Sequence, residues 1–184
     1  MRGASDLGID PARIAIKGES VGGGLAAAVA LLARDRGEFR SVLQHLTYPM
    51  LDDRTATTRA AAPFAGEFLW TASHNLFGWT ALLGGPPGGD GVSACAAPAR
   101  AEDLAGVAPA YIMADALDLF ADESLEYARR LIQAGVPTEI HVYPGAFHGF
   151  DLAPRAEIAL AARTSGLAAL TRALSPQRSS TEKS

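Results

Sequence analysis

The sequence predicts an α/β protein: a mostly parallel sheet of about four strands with helices on both faces. Three observations lead there. Short apolar runs bounded by Gly, Pro and Asp alternate along the chain with longer Ala- and Leu-rich stretches, and strand–helix alternation is the pattern of a parallel sheet covered by its crossovers. A G-x-S-x-G pentapeptide, Gly18-Glu19-Ser20-Val21-Gly22, lies where one such run meets an Ala-rich stretch. The chain has 184 residues, of which 48% are hydrophobic and 20% charged, enough for one domain with a core of its own.

Residues 13–16 (Arg-Ile-Ala-Ile) read as a buried strand, preceded by the turn Leu7-Gly8-Ile9-Asp10-Pro11. A helix is predicted over 25–34 and a second strand over 41–48, stopped by Pro49. From 50 to 108 the pattern loosens into short helical pieces, aromatics and turns such as Gly84-Gly85-Pro86-Pro87-Gly88-Gly89. That length predicts an inserted, cap-like segment with packing of its own, since plain connections are short. A third strand is expected at 109–114. An amphipathic helix then starts at Asp122-Glu123-Ser124, with Leu125, Ala128 and Ile132 on its apolar face and Asp122 as its cap. Gly135 and Pro137 end it. Residues 138–143 (Thr-Glu-Ile-His-Val-Tyr) alternate polar and apolar as a half-buried strand does. A last helix covers 154–174. The domain is expected to span 1–175, with 176–184 a polar, disordered tail.

Several classes are set aside by composition. Net charge is −4 and the basic residues are scattered arginines with little lysine, which argues against a nucleic-acid partner. No stretch approaches a membrane span. Residues 1–6 lack the apolar region of a signal peptide, and Cys95 is the only cysteine, so neither an internal disulfide nor a cysteine-based metal cluster is expected. Gly22-Gly23-Gly24 has the wrong spacing for a dinucleotide loop. No cofactor is expected, and a cytoplasmic location follows by default.

The chemistry starts at Ser20. On a tight strand-to-helix turn its hydroxyl projects into open space, and Gly18 and Gly22 are expected to make that turn sterically possible. A serine hydroxyl needs a base, and the base an orienting acid. On such an elbow the chain order is nucleophile, acid, histidine. Asp118 follows the third predicted strand and His148 the fourth, and the loops at the C-terminal ends of parallel strands are where such sheets hold ligands. The other histidines are weaker candidates: His45 and His141 lie within strand patterns and His74 within the insertion. Asp115, Asp122 and Glu123 compete with Asp118. Glu19 is expected to support the site through a hydrogen bond or ion pair rather than to react.

These residues resemble the hormone-sensitive-lipase-like branch of the α/β-hydrolase carboxylesterases. Members carry a G-D/E-S-A-G-G elbow, an L-D-x-x-x-D-E acid motif and a terminal H-G-F. Here those read Gly18-Glu19-Ser20-Val21-Gly22-Gly23, Leu117-Asp118-Leu119-Phe120-Ala121-Asp122-Glu123 and His148-Gly149-Phe150. Tyr48-Pro49-Met50-Leu51-Asp52, Phe77-Gly78-Trp79-Thr80 and Ala134-Gly135-Val136-Pro137 are similar as well. The resemblance runs from about residue 7 to 174. It implies the α/β-hydrolase fold with Ser20 as nucleophile, Asp118 as acid, His148 as base and the Val21 N–H as an oxyanion donor. It also implies short- to medium-chain carboxylic esters as substrates. Because the base must be neutral, activity is expected to rise with pH through roughly 6–7.

Three departures stand out. Val21 replaces the usual alanine, and Asp115 stands where a glycine is common. Only nineteen residues precede Ser20, and they contain nothing like the family's H-G-G-G oxyanion loop. The expectation is therefore the C-terminal portion of an esterase, weak or inactive as an isolated chain. Its elbow strand would be an open edge suited to self-association or complementation. Two other functions remain: a non-catalytic ligand-binding module on the same scaffold, and a peptidase or amidase with the same triad.

Overall fold

In the computed structural model of the chain, residues 6–175 are described; the tail expected over 176–184 lies outside them. Four strands, β1 (Ala15–Glu19), β2 (Leu43–Thr47), β3 (Ala110–Asp115) and β4 (Thr138–Tyr143), form one sheet in sequence order, every pair parallel. Ala15 stands opposite Leu43, Gln44 opposite Ala110, and Ala110 opposite Thr138. In a parallel sheet every strand ends at the same rim, so the segments after β1, β3 and β4, which carry Ser20, Asp118 and His148, all emerge there.

Among the described residues there are four α-helices, α1 (Val21–Arg36), α2 (Ala72–Leu83), α3 (Ala121–Gln133) and α4 (Glu157–Leu174), of which α1, α3 and α4 cover the sheet. On one face Ala27 and Leu31 of α1 and Tyr127 and Leu131 of α3 pack on Leu46 and Ile112. On the other, Ala159, Ala162 and Ala169 of α4 pack on Leu43, Tyr111 and Met113. Neighbours along β3 thus feed opposite cores, and β2 and β3 are buried throughout because both of their faces are covered.

Several boundaries differ from expectation. β1 starts two residues later than predicted and is only half-buried, because among the described residues it is paired on one side only. α1 begins directly after Ser20 rather than at Leu25, taking Gly22, Gly23 and Gly24 into its first turn. β2 spans 43–47, and α4 begins at Glu157 rather than at 154.

The face assigned to α3 needs correction. Ala128 is buried, but Leu125 and Ile132 are 44% and 55% exposed. The helix instead buries Ser124, Tyr127, Ala128 and Leu131, which also follow helical spacing. Its rotation is set by Glu123. That buried carboxylate accepts from the Leu51 and Asp52 N–H groups and the Thr55 hydroxyl, an inward polar anchor that a hydropathy pattern assigns to solvent. Asp122 is not the cap either. The cap position is Phe120, without a side-chain bond, and Asp122 lies in the first turn, where its charge complements the helix dipole.

Between β2 and β3 run α2 and a short 3-10 turn at Pro98–Arg100. Met50, Trp79 and Ala97 of this stretch meet Leu119 and Phe120 in a third apolar cluster. Asp53 holds it together, its two oxygens taking Arg100 Nε and Nη2 at 2.6 and 2.9 Å. Among the described residues no helix is long and apolar enough to cross a membrane.

Candidate active site

Ser20 joins β1 to α1 with φ 55° and ψ −124°, a conformation that L-residues adopt only when their surroundings enforce it. The enforcement is visible. Its N–H donates to Thr47 O at 3.0 Å, and its carbonyl accepts from Gly23, Gly24 and Met50 N–H at 2.9, 3.2 and 3.0 Å. Steric room comes from three glycines. A Cβ on Gly18 would sit 1.9 Å from Gly22 O, one on Gly23 2.8 Å from the Pro49 Cβ, and one on Gly24 2.0 Å from Met50 O. Gly22 faces open space. The expected role of Gly18 is thus present, whereas that of Gly22 passes to the two glycines that follow, because the helix leans on residues 49–50 there.

The three predicted side chains meet at the rim. Ser20 Oγ lies 2.9 Å from His148 Nε2, and His148 Nδ1 lies 2.7 Å from Asp118 Oδ2. Asp118 is 1% and His148 6% exposed, so the pair is screened from water and its coupling strengthened. A neutral imidazole that donates Nδ1–H to this carboxylate has its Nε2 lone pair toward the serine.

The competitors fall elsewhere. His45 is buried against Tyr111, ring centroids 4.6 Å apart, and burial, aided by Lys17, lowers its pKa. His141 Nε2 meets Glu139 Oε1 at 2.8 Å, and His74 Nδ1 meets Leu69 O at 3.2 Å. Asp115 is buried but bonds to neither the histidine nor the serine, and Glu123 is occupied by residues 51–55. Glu19 pairs with Lys17, and no hydrogen bond links it to the triad among the described residues. Val21 opens α1, so its N–H has no acceptor within the helix; its side chain is 45% exposed.

Sequence reasoning missed the groups that hold the imidazole. Tyr48, Phe120 and Trp70 surround its ring at centroid distances of 4.8, 5.3 and 5.8 Å. Tyr48 adopts φ 33° just past β2 and donates its hydroxyl to Asp151 Oδ1 at 2.9 Å. Its place at a strand end before Pro49 was the available signal; Trp70, from the loose stretch after β2, had none. Among the described residues no group of three or more His, Cys, Asp or Glu is arranged to hold a metal ion.

A family described as alpha/beta hydrolase fold matches residues 2–152. The chain belongs to the α/β-hydrolase fold family. Within it, this hydrolase-fold chain is 36% identical to the esterase LipI of Mycobacterium tuberculosis over 78% of its own length and 44% of that protein. It is also 36% identical to the carboxylesterase NlhH of the same species, over 93% of its length and 54% of the relative. Among solved structures it superposes on a bacterial heroin esterase with TM-score 0.86 and 41% identity, covering 95% of this chain and 56% of that one. The chain therefore spans about half the length of the relatives it matches.

Proposed function

We propose that the chain is a serine carboxylesterase acting on short- to medium-chain carboxylic esters through an acyl-enzyme. The observation that carries this is the continuous line of hydrogen bonds Ser20 Oγ–His148 Nε2 and His148 Nδ1–Asp118 Oδ2. Ser20 Oγ attacks the ester carbonyl as His148 Nε2 takes its proton, and Asp118 stabilises the resulting imidazolium. The Val21 N–H donates to the developing oxyanion. His148 then passes the proton to the departing alcohol, and a water, deprotonated by the same nitrogen, releases the acid. Phe147, Leu69 and Leu152 beside the His148 loop support an apolar acyl or alcohol group. An exposed free Cys95 suits the reducing cytoplasm, to which we assign the chain.

Val21 is the one oxyanion donor we assign among the described residues. A missing donor lowers turnover by about 10²–10³, so slow hydrolysis is expected even where Ser20 is reactive. The test separates the two steps. A fluorophosphonate is expected to label Ser20, seen as a mass shift on its peptide and absent in Ser20→Ala, while p-nitrophenyl butyrate turns over slowly. A folded chain that takes no label overturns the reading and leaves a non-catalytic binding module.

A further inference from the structure

Asp115, the last residue of β3, is 1% exposed, and neither of its carboxylate oxygens has a hydrogen-bond partner. It shares a strand face with Tyr111 and Met113, and in the sheet register it stands opposite Tyr143, whose hydroxyl is also buried. Two further carboxylates act on it, Asp118 in the following turn and Asp151 in the short 3-10 turn after β4. These two have donors, His148 Nδ1–H for Asp118 and the Tyr48 hydroxyl for Asp151; Asp115 has none. Asp118 also keeps one buried oxygen, Oδ1, without a partner.

A carboxyl closed off from water and left without a donor retains its proton, the more so beside other carboxylates. Asp118 has the imidazole as its hydrogen-bond partner. Asp115 keeps the proton, burial and the Asp118 and Asp151 charges pushing its pKa to about 8. The other titratable groups facing this region are Tyr48 beyond β2, Tyr143 on β4 and His148. Glu19 and Lys17 of β1 and Arg163 of α4 line the adjoining cavity of about 350 Å³ into which Asp151 projects.

We propose that Asp115 tunes the basicity of His148 through Asp118: its proton decides whether a further negative charge lies behind the imidazole. This rests on the assignment of Ser20, His148 and Asp118 as a relay, but its test does not need turnover. With the proton on, Asp115 is a neutral neighbour. With the proton off, the added negative charge favours the imidazolium and makes Nε2 the stronger base. Asp115 is a positioning residue in this scheme, since it touches neither substrate nor serine.

The experiment is an NMR titration of the whole chain between pH 4 and 10, following the Asp115 side-chain carboxyl carbon and the ring nuclei of His148. The Asp115 carbon is expected to titrate near pH 8, and the His148 ring to show a second, smaller step at the same pH. That second step should vanish in Asp115→Asn, which keeps shape and burial, and in Asp115→Gly, which empties the position. Fluorophosphonate labelling of Ser20 should rise roughly three- to tenfold across that step in the unaltered chain and stay flat in both variants. An Asp115 carbon titrating near the ordinary carboxylate range of about 4 overturns the proposal, as does a second His148 step that survives both substitutions. Absence of labelling overturns the esterase assignment instead, and the carbon and ring titrations still decide the role of Asp115.

Discussion

At the scale of single residues, two aspartates three positions apart meet different surroundings. Asp118 receives the imidazole N–H, whereas Asp115 receives no donor at all. This has a consequence for stability. In the unfolded chain Asp115 ionises near 3.8, while in the folded protein it holds its proton to about 8. Between those values the native state binds the extra proton, so stability falls as pH rises and levels off above 8. Asp115→Asn removes that dependence. Relative to the unaltered chain, the variant should gain on the order of 2–4 kcal/mol between pH 5 and pH 8, read from urea unfolding at the two values. Glu123, whose buried carboxyl is also pushed well up, is common to both proteins and cancels from the difference; an unchanged gap would refute the prediction. The glycines of the elbow make a second residue-scale point. G-x-S-x-G names Gly18 and Gly22, yet the close approaches are at Gly18, Gly23 and Gly24, since it is the path of residues 49–50 that decides where a Cβ has no room.

At the scale of elements, α3 shows how far hydropathy carries. Its spacing predicts a helix that is present, ended by Ala134-Gly135 before Pro137 as expected. The stripe Leu125, Ala128, Ile132 nevertheless turns out to be mostly outward. Glu123 fixes the rotation by binding the backbone of the segment after β2, and Tyr127 and Leu131 follow it into the core. Leu131→Ala is therefore expected to cost about 2–5 kcal/mol in chemical denaturation, and Leu125→Ala within about 0.5 kcal/mol. Equal costs would show the helix to be rotated differently. The stretch between β2 and β3 reaches the site in a way its composition does not announce. Trp70 lies against the His148 imidazole, while Met50 and Trp79 pack with Phe120, whose ring meets the imidazole edge-on.

At the scale of the whole molecule, β1 and α1 leave one flank of the sheet unpartnered among the described residues. Val21, Leu25 and Val29 are four residues apart along α1 and 41–49% exposed, an apolar stripe on that helix. The edge of β1 on this flank is a template for another strand. Lys17 and Glu19 place charges on it, a partial safeguard. We propose that this flank is where the chain self-associates. Light scattering after size exclusion should find oligomers that grow with concentration, reduced in Leu25→Lys/Val29→Lys. A monomer at all concentrations would count against self-association. At this scale, too, the relatives are about twice as long as the chain, so activity in the context of a complementing segment is the comparison of interest.

Much of the site was legible because its signals are local. A strand-to-helix turn with its serine and glycines, an aspartate just past one strand and a histidine just past another are features of short segments. Parallel topology alone then brings all three ends to a single rim. Strand–helix alternation announced that topology for the same reason: the period of apolar residues is set by backbone geometry within each element. What only the folded structure decided depends on distances between segments remote in sequence. It set the rotation of α3, the aromatic walls around His148, the glycines that must stay bare and the burial of Asp115 without a hydrogen-bond partner. Burial and Coulomb coupling act through space, between groups that their order along the chain does not bring together.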